Sequence, residues 1–145
     1  MLALLLALVL AFHAPVAFPA RHMLWFVNKD RSLTATRWLH QDLRLDAVAL
    51  AHAQDMAQRG YFAHWIPGVG YVGALMTAAG LRPHAWGEII GWTTFPRSEA
   101  IVWLNGAFMA SSEHHAIIEG NWTRDGAGVA STRDGRTFVV VVFTR

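Results

Sequence analysis

The spacing of apolar and polar positions divides the chain into an apolar leader, a helical stretch and a β-rich end. Residues 1 to 10 are almost entirely Leu, Ala and Val, and the apolar character runs to about Ala20. A membrane-spanning helix needs about twenty apolar residues. The Leu-rich core is shorter than that and fits a secretory h-region. No Lys or Arg precedes it, so an uncleaved anchor is the alternative. Residues 1–20 are expected to be a signal peptide or N-terminal anchor, and residues 21–145 the folded domain.

Past the leader, Leu24, Phe26, Val27 and Leu33 predict a short helix with Asn28, Asp30 and Arg31 towards its polar side. Trp38 to Arg44 reads as a loop. Leu45, Val48, Ala49, His52, Ala53 and Met56 recur at three- and four-residue spacing. They predict a helix over Ala47 to Arg59, capped by Asp46 and stopped by Gly60. His52 lies on the apolar face of that helix, where a structural role outweighs a ligand role.

Gly60 to Gly68 then sets His64 among aromatic residues before a Pro-Gly turn. Gly70 to Ala79 predicts a short helix. Trp86 to Trp92 is extended and carries one charge, Glu88, among Trp86, Ile89, Ile90 and Trp92. A carboxylate in such surroundings is costly unless it is paired. A histidine or a metal would satisfy it, and so would a turn outwards to solvent. Ser98 is expected to cap a helix from Glu99 to about Ala110, followed by Ser111-Ser112-Glu113-His114-His115. Adjacent histidines face different ways, so one of His114 and His115 enters any common site.

Ala127 to Thr132 and Thr137 to Thr144 read as strands joined across Asp134-Gly135, a hairpin signal. Val139 to Phe143 is continuously apolar and should be a central strand. Helices first and a hairpin last give an α+β domain, a small antiparallel sheet layered with helices.

Composition narrows the function classes. With 54% hydrophobic and 15% charged residues in 145, the chain is one compact domain. A net charge of +2 from scattered Lys and Arg gives no nucleic-acid signature. No cysteine is present, which excludes disulfides, thiolate nucleophiles and Cys-based zinc sites. Eight His and seven Trp point instead to metal or acid–base chemistry and to a heavy aromatic core or groove.

The order of several short motifs resembles the CAP superfamily, the SCP-like extracellular domain, in a short cysteine-free bacterial form. Val27-Asn28-Lys29-Asp30-Arg31 is similar to its opening "LNxxR" helix. Ala51-His52-Ala53-Gln54-Asp55-Met56-Ala57 is similar to "A-x-x-H-A-x-D-M-A". Tyr61-Phe62-Ala63-His64 resembles "F-S-H", and Gly87-Glu88-Ile89-Ile90 resembles "G-E-N-I". Met109 to His115 is similar to "W-M-x-S-x-x-H-R", and Gly126 to Ala130 to "x-G-V-G-x". The likeness covers about Phe26 to Phe143.

The resemblance implies a three-layer α-β-α sandwich, a secreted or cell-envelope location, and a cleft lined by His64, His114 and Glu88. Ile89 stands where the family has Asn, Phe108 where it has Trp, and a second cleft Glu has three candidate positions, Glu99, Asn105 and Glu113. The first functional expectation is a non-enzymatic binding module for a lipid, an envelope glycan or another small apolar ligand. Trp65 and Trp86 would wall it, with Trp92 nearby. A divalent cation such as zinc would sit on His64, His114 and Glu88. The alternative is a metal-dependent hydrolase of envelope material or peptides, with Glu88 as base or third ligand. Membrane contact is expected only through the N-terminal segment.

Overall fold

The computed structural model describes residues 18–34 and 36–145. The expectation for the N-terminal signal or anchor therefore falls, up to residue 17, outside the described residues. The elements run α1 (Phe18–Leu33), β1 (His40–Gln41), α2 (Leu43–Arg59), α3 (Val72–Ala78), β2 (Trp86–Thr93), α4 (Arg97–Ala110), α5 (Ser112–Ile118), β3 (Arg124–Ser131) and β4 (Thr137–Thr144). They form a three-layer α-β-α sandwich around a four-stranded sheet of order β1-β3-β4-β2. β2 and β3 flank β4 in antiparallel register, with Glu88 opposite Val142 and Gly126 opposite Val142 on its other side.

Strand β4 is buried along all eight residues, as its continuous apolar run requires. Alternate side chains feed two cores. Phe138, Val140 and Val142 pack with Ile90 against α2 and α3. Val139, Val141 and Phe143 pack with Ile89 against α1, α4 and α5. The sheet is mixed rather than purely antiparallel, because β1 joins β3 in parallel through His40 and Gln41. Two residues are too few to leave a periodic signal, and this piece lies in the stretch expected to be loop.

Helix α2 lies on β3 at backbone contact. A Cβ on Gly126 would stand 2.3 Å from the Leu45 carbonyl carbon, and one on Gly128 would stand 2.1 Å from the Leu50 nitrogen. Only glycine permits this approach. The C-terminal stop is as expected: Gly60 adopts φ 70° and donates its N–H to the Met56 carbonyl at 2.9 Å.

The N-terminal caps differ from expectation. Asp42, not Asp46, caps α2 by accepting the Arg44 N–H at 2.9 Å. Asp46 sits in the first turn, where one oxygen accepts the Ala127 N–H at 2.9 Å and the other accepts from Gln41 Nε2 at 2.7 Å. It ties the helix to the sheet. Pro96 occupies the N-cap of α4, so Ser98 is already helical and caps nothing. In α1, Asn28 and Arg31 are buried rather than polar-facing. Arg31 donates to the carbonyls of Arg37, Ile118 and Gly120 at 2.8, 2.6 and 2.8 Å. The long arginine crosses the core to reach carbonyls at and just beyond the end of α5.

Asp125, on β3, is fully buried, and neither of its carboxylate oxygens has a hydrogen-bond partner among the described residues. Burial first, and repulsion from Asp46 second, push its pKa up to about 7. Because the folded value lies above the ordinary carboxyl value, the stability it confers is full below that ordinary value and is lost as pH rises through about 7.

Two outcomes follow from these features. Asp125→Asn should remove this pH dependence, so that the stability difference between parent and variant changes between pH 4 and pH 8 by at most on the order of 4 kcal/mol. Denaturant unfolding across that range checks it, and parallel curves would refute it. Gly128→Ala should destabilise by more than about 3 kcal/mol, because backbone rather than a movable side chain fills the space. Its unfolding midpoint by circular dichroism is the readout.

Candidate functional site

The site is built around a carboxylate on strand β2. Residues Trp86, Glu88, Ile90 and Trp92 share the strand face towards α2 and α3. Glu88 is buried, at 6% exposure. It neither turns to solvent nor lies unpaired. Its Oε2 is 2.7 Å from His52 Nδ1 on α2, and its Oε1 is 2.6 Å from His64 Nδ1 in the loop after α2. One buried carboxylate thus bridges two imidazoles on different segments.

His52 is fully buried, and its Nε2 lies 3.0 Å from the Ala63 carbonyl. A carbonyl only accepts, so Nε2 carries hydrogen. His52 is therefore structural, as the sequence implies, but it also serves the site by holding Glu88 in place and by pinning the loop at Ala63. The clue was available in the sequence: a histidine on an otherwise apolar helix face needs a polar partner.

His64 differs from His52 in exposure. Its side chain is 47% exposed while its Nδ1 is fixed by Glu88. The hydrogen bond to Glu88 raises its pKa, against the opposing effect of partial burial. When the ring is neutral, Glu88 as an acceptor keeps the hydrogen on Nδ1 and leaves the Nε2 lone pair free. His114 approaches from the other layer, on α5. The Ser111 hydroxyl accepts its N–H at 3.4 Å, and its ring stands edge-on to Phe108, centroids 5.1 Å apart. Partial burial lowers its pKa, and the charge of nearby His64 lowers it further. His115 turns elsewhere and pairs with Glu119 at 2.9 Å. Two environments thus push two neighbouring histidines apart, His64 towards the cation and His114 towards the neutral base.

The three candidates for a second acidic residue separate as well. Asn105 donates to Asp30 at 3.0 Å, and Glu99 is exposed in the first turn of α4. Glu113 is the one whose charge reaches His114. The two departures from the family motifs are both apolar and both buried: Ile89 in the core beneath the sheet, Phe108 against His114.

The set expected to hold a divalent cation is not assembled as one. His64 and His114 are neighbours, but both oxygens of Glu88 are occupied by histidine nitrogens. Among the described residues no group of three or more His, Asp or Glu side chains is arranged to hold a metal ion. In this arrangement Glu88 turns one lone pair of each oxygen to a histidine and positions the imidazoles, and the three residues do not converge on one point as a metal centre requires.

Around the imidazoles the surface is aromatic. Trp65 and Trp86 are both exposed, at 55% and 40%, and Tyr71 joins them. Its ring lies 5.2 Å edge-on from Trp65 and 6.4 Å from Trp86. The result is a strip of three large rings beside His64 and on the Glu88 side of the strand. Tyr71 was not singled out from the sequence, since it precedes a short helix and carries no motif. Trp92 stands further along β2, stacked on Phe138 at 6.4 Å.

Comparison with known proteins agrees with this architecture. The family described as CAP, cysteine-rich secretory protein family, matches residues 24–143. An extracellular protein containing a SCP domain from Bacillus anthracis str. Ames superposes with a TM-score of 0.75 at 25% identity, over 88% of this chain and 40% of that one. An outer surface protein from Borrelia burgdorferi gives 0.75 at 15% identity, over 91% and 96%. A cysteine-rich secretory protein from Staphylococcus aureus subsp. aureus Mu50 gives 0.66 at 15% identity, over 90% and 40%. The chain thus spans well under half of the Bacillus and Staphylococcus chains and nearly the whole of the Borrelia one. No curated protein matches it significantly in sequence. The motif order, the sandwich and a family match that covers most of the sequence lead to one assignment: the chain belongs to the CAP family, as a member without cysteine.

Proposed function

We propose that this domain is a non-enzymatic binding module of the cell exterior or envelope, and that its cleft takes a lipid or another small apolar ligand. The observation that carries this reading is the exposed strip Trp65–Tyr71–Trp86 beside His64. Contiguous exposed rings are costly in water and mark a surface that is covered in use. Apolar walls with a few fixed polar groups are the usual make-up of a small-ligand site. Here His64, oriented by Glu88, supplies the fixed polar group and can donate to a ligand carboxylate or hydroxyl. The location is supported by the relatives, which are named as an extracellular protein, an outer surface protein and a secretory protein.

The alternative, a metal-dependent hydrolase, has weaker support in the geometry. Glu88 is engaged on both oxygens by histidines, and no group of three His, Asp or Glu among the described residues is arranged round a metal. His64 and His114 alone provide two nitrogen donors. The hydrolase needs about one equivalent of zinc, lost in His64→Ala, so calorimetry that finds no zinc binding to the parent at neutral pH removes it.

A fluorescent fatty acid titrated into the domain tests the binding reading. Trp65→Ala/Trp86→Ala should weaken its affinity about tenfold or more, since two rings leave the wall. Circular dichroism of the variant should be unchanged, because both rings are on the surface. An affinity equal to the parent's would remove the aromatic strip as the binding wall.

A further inference from the structure

We propose a second binding site, for a phosphate-bearing anion, in a concavity at the end of the sheet where α2 and β3 begin and β4 ends. Arg44, Arg82, His84, Arg124 and Arg145 line it, and Asp42 is the single acidic side chain among its lining residues. Its volume is about 210 Å³. That is small beside the roughly 300–1,000 Å³ of a pocket for a drug-sized molecule, and it suits a charged group rather than an extended body.

The charge distribution makes this place unusual. Four arginines against one aspartate leave three net positive charges, on a chain whose whole net charge is +2. Everything else sums to a slight negative charge. Four of the twelve Lys and Arg side chains thus meet at one concavity, whose wall focuses their field. The N-terminal end of α2 points to the same place and adds the positive end of its dipole.

The single acidic side chain is already committed. Asp42 Oδ2 lies 2.9 Å from Arg44 Nη2 and 3.7 Å from Arg124 Nη1, and its Oδ1 caps α2. It takes the Nε–Nη2 fork of Arg44, with Nε 3.2 Å from Oδ1, and lies near one nitrogen of Arg124, while the two side chains stay 47% and 55% exposed. Arg82 is held from behind by the carbonyls of Thr77 and Leu81 through one nitrogen, at 3.0 and 2.9 Å. Several guanidinium groups lining one space match the many oxygens of a phosphate better than they match a single carboxylate. Leu81 and Pro83 complete a short apolar wall, and these two with Arg82 also line a neighbouring pocket of about 200 Å³ that ends at Trp86. The anion site thus adjoins the aromatic side of the cleft but uses none of His64, Glu88 and His114.

Backbone amide NMR with inorganic phosphate and with glycerophosphate tests the site. Thr123, Arg124 and Arg145 should shift in a saturable way. Arg124→Gln/Arg145→Gln should weaken binding about tenfold or more, as two charged donors are lost. Asp42→Asn should tighten it several-fold, because asparagine keeps the helix cap while the competing charge goes. A loss in one variant and a gain in the other distinguish a built site from a damaged fold. Vesicles of phosphatidylglycerol in phosphatidylcholine separate two sources of the same chemistry. Sedimentation with these vesicles, lost in the double variant, identifies a lipid headgroup. Binding of glycerophosphate without vesicle binding identifies a soluble phosphate ester. No saturable shift with any probe, or equal affinity in parent and double variant, overturns the proposal.

Discussion

A buried carboxylate with two imidazoles on it holds the candidate site together. Glu88 lies on an edge strand whose neighbours are Ile89, Ile90 and two tryptophans, so its charge has little water to call on. Such a group destabilises a fold by several kcal/mol unless hydrogen bonds replace hydration. His52 supplies one bond from α2, and His64 supplies the other from the following loop. The same contacts lock three segments, β2, α2 and the loop, into one geometry. α2 in turn is placed by its backbone contact with Gly126 and Gly128. The position of an exposed histidine therefore depends on glycines one strand beyond the site.

How legible this was in the sequence varied with the kind of signal. The apolar face of α2, its Gly60 stop, the Asp134-Gly135 hairpin and the buried β4 were all readable, because period and turn chemistry act locally. Glu88 and His64 were singled out correctly as residues that needed partners. The missing partner was His52, which apolar periodicity alone assigns to the core. The N-caps were misplaced because Asp42 and Asp46, like Pro96 and Ser98, are close rivals in sequence and only the three-dimensional contacts separate them. Arg31 was placed on a polar face for the same reason: a charge reads as exposed until carbonyls at the end of α5 are seen to receive it. The metal expectation rested on the family resemblance, which does not tell that His52 takes one oxygen of Glu88 and His64 the other.

The resulting cleft divides its tasks. Glu88 and His52 are buried and position. His64 and His114 are close enough to feel each other's charge and have pKa values displaced in opposite directions, by a hydrogen bond to a carboxylate in one case and by burial in the other. The aromatic strip supplies apolar area. The arginine-lined concavity beyond Leu81 and Pro83 supplies the opposite chemistry. An apolar wall and a cationic pocket thus lie on adjoining surfaces.

The most direct test of this account is an NMR titration of the His64 ring in the parent and in Glu88→Gln. The pKa of His64 is raised by its bond to Glu88, so the stability this bond confers is full below the ordinary histidine value of 6.5 and is lost as pH rises through the folded value. The account predicts that parent His64 titrates above that ordinary value, with hydrogen on Nδ1 in the neutral ring. In Glu88→Gln it should move down towards the ordinary value. Identical titration curves in the two proteins, or a neutral ring in the parent with its hydrogen on Nε2, would contradict it.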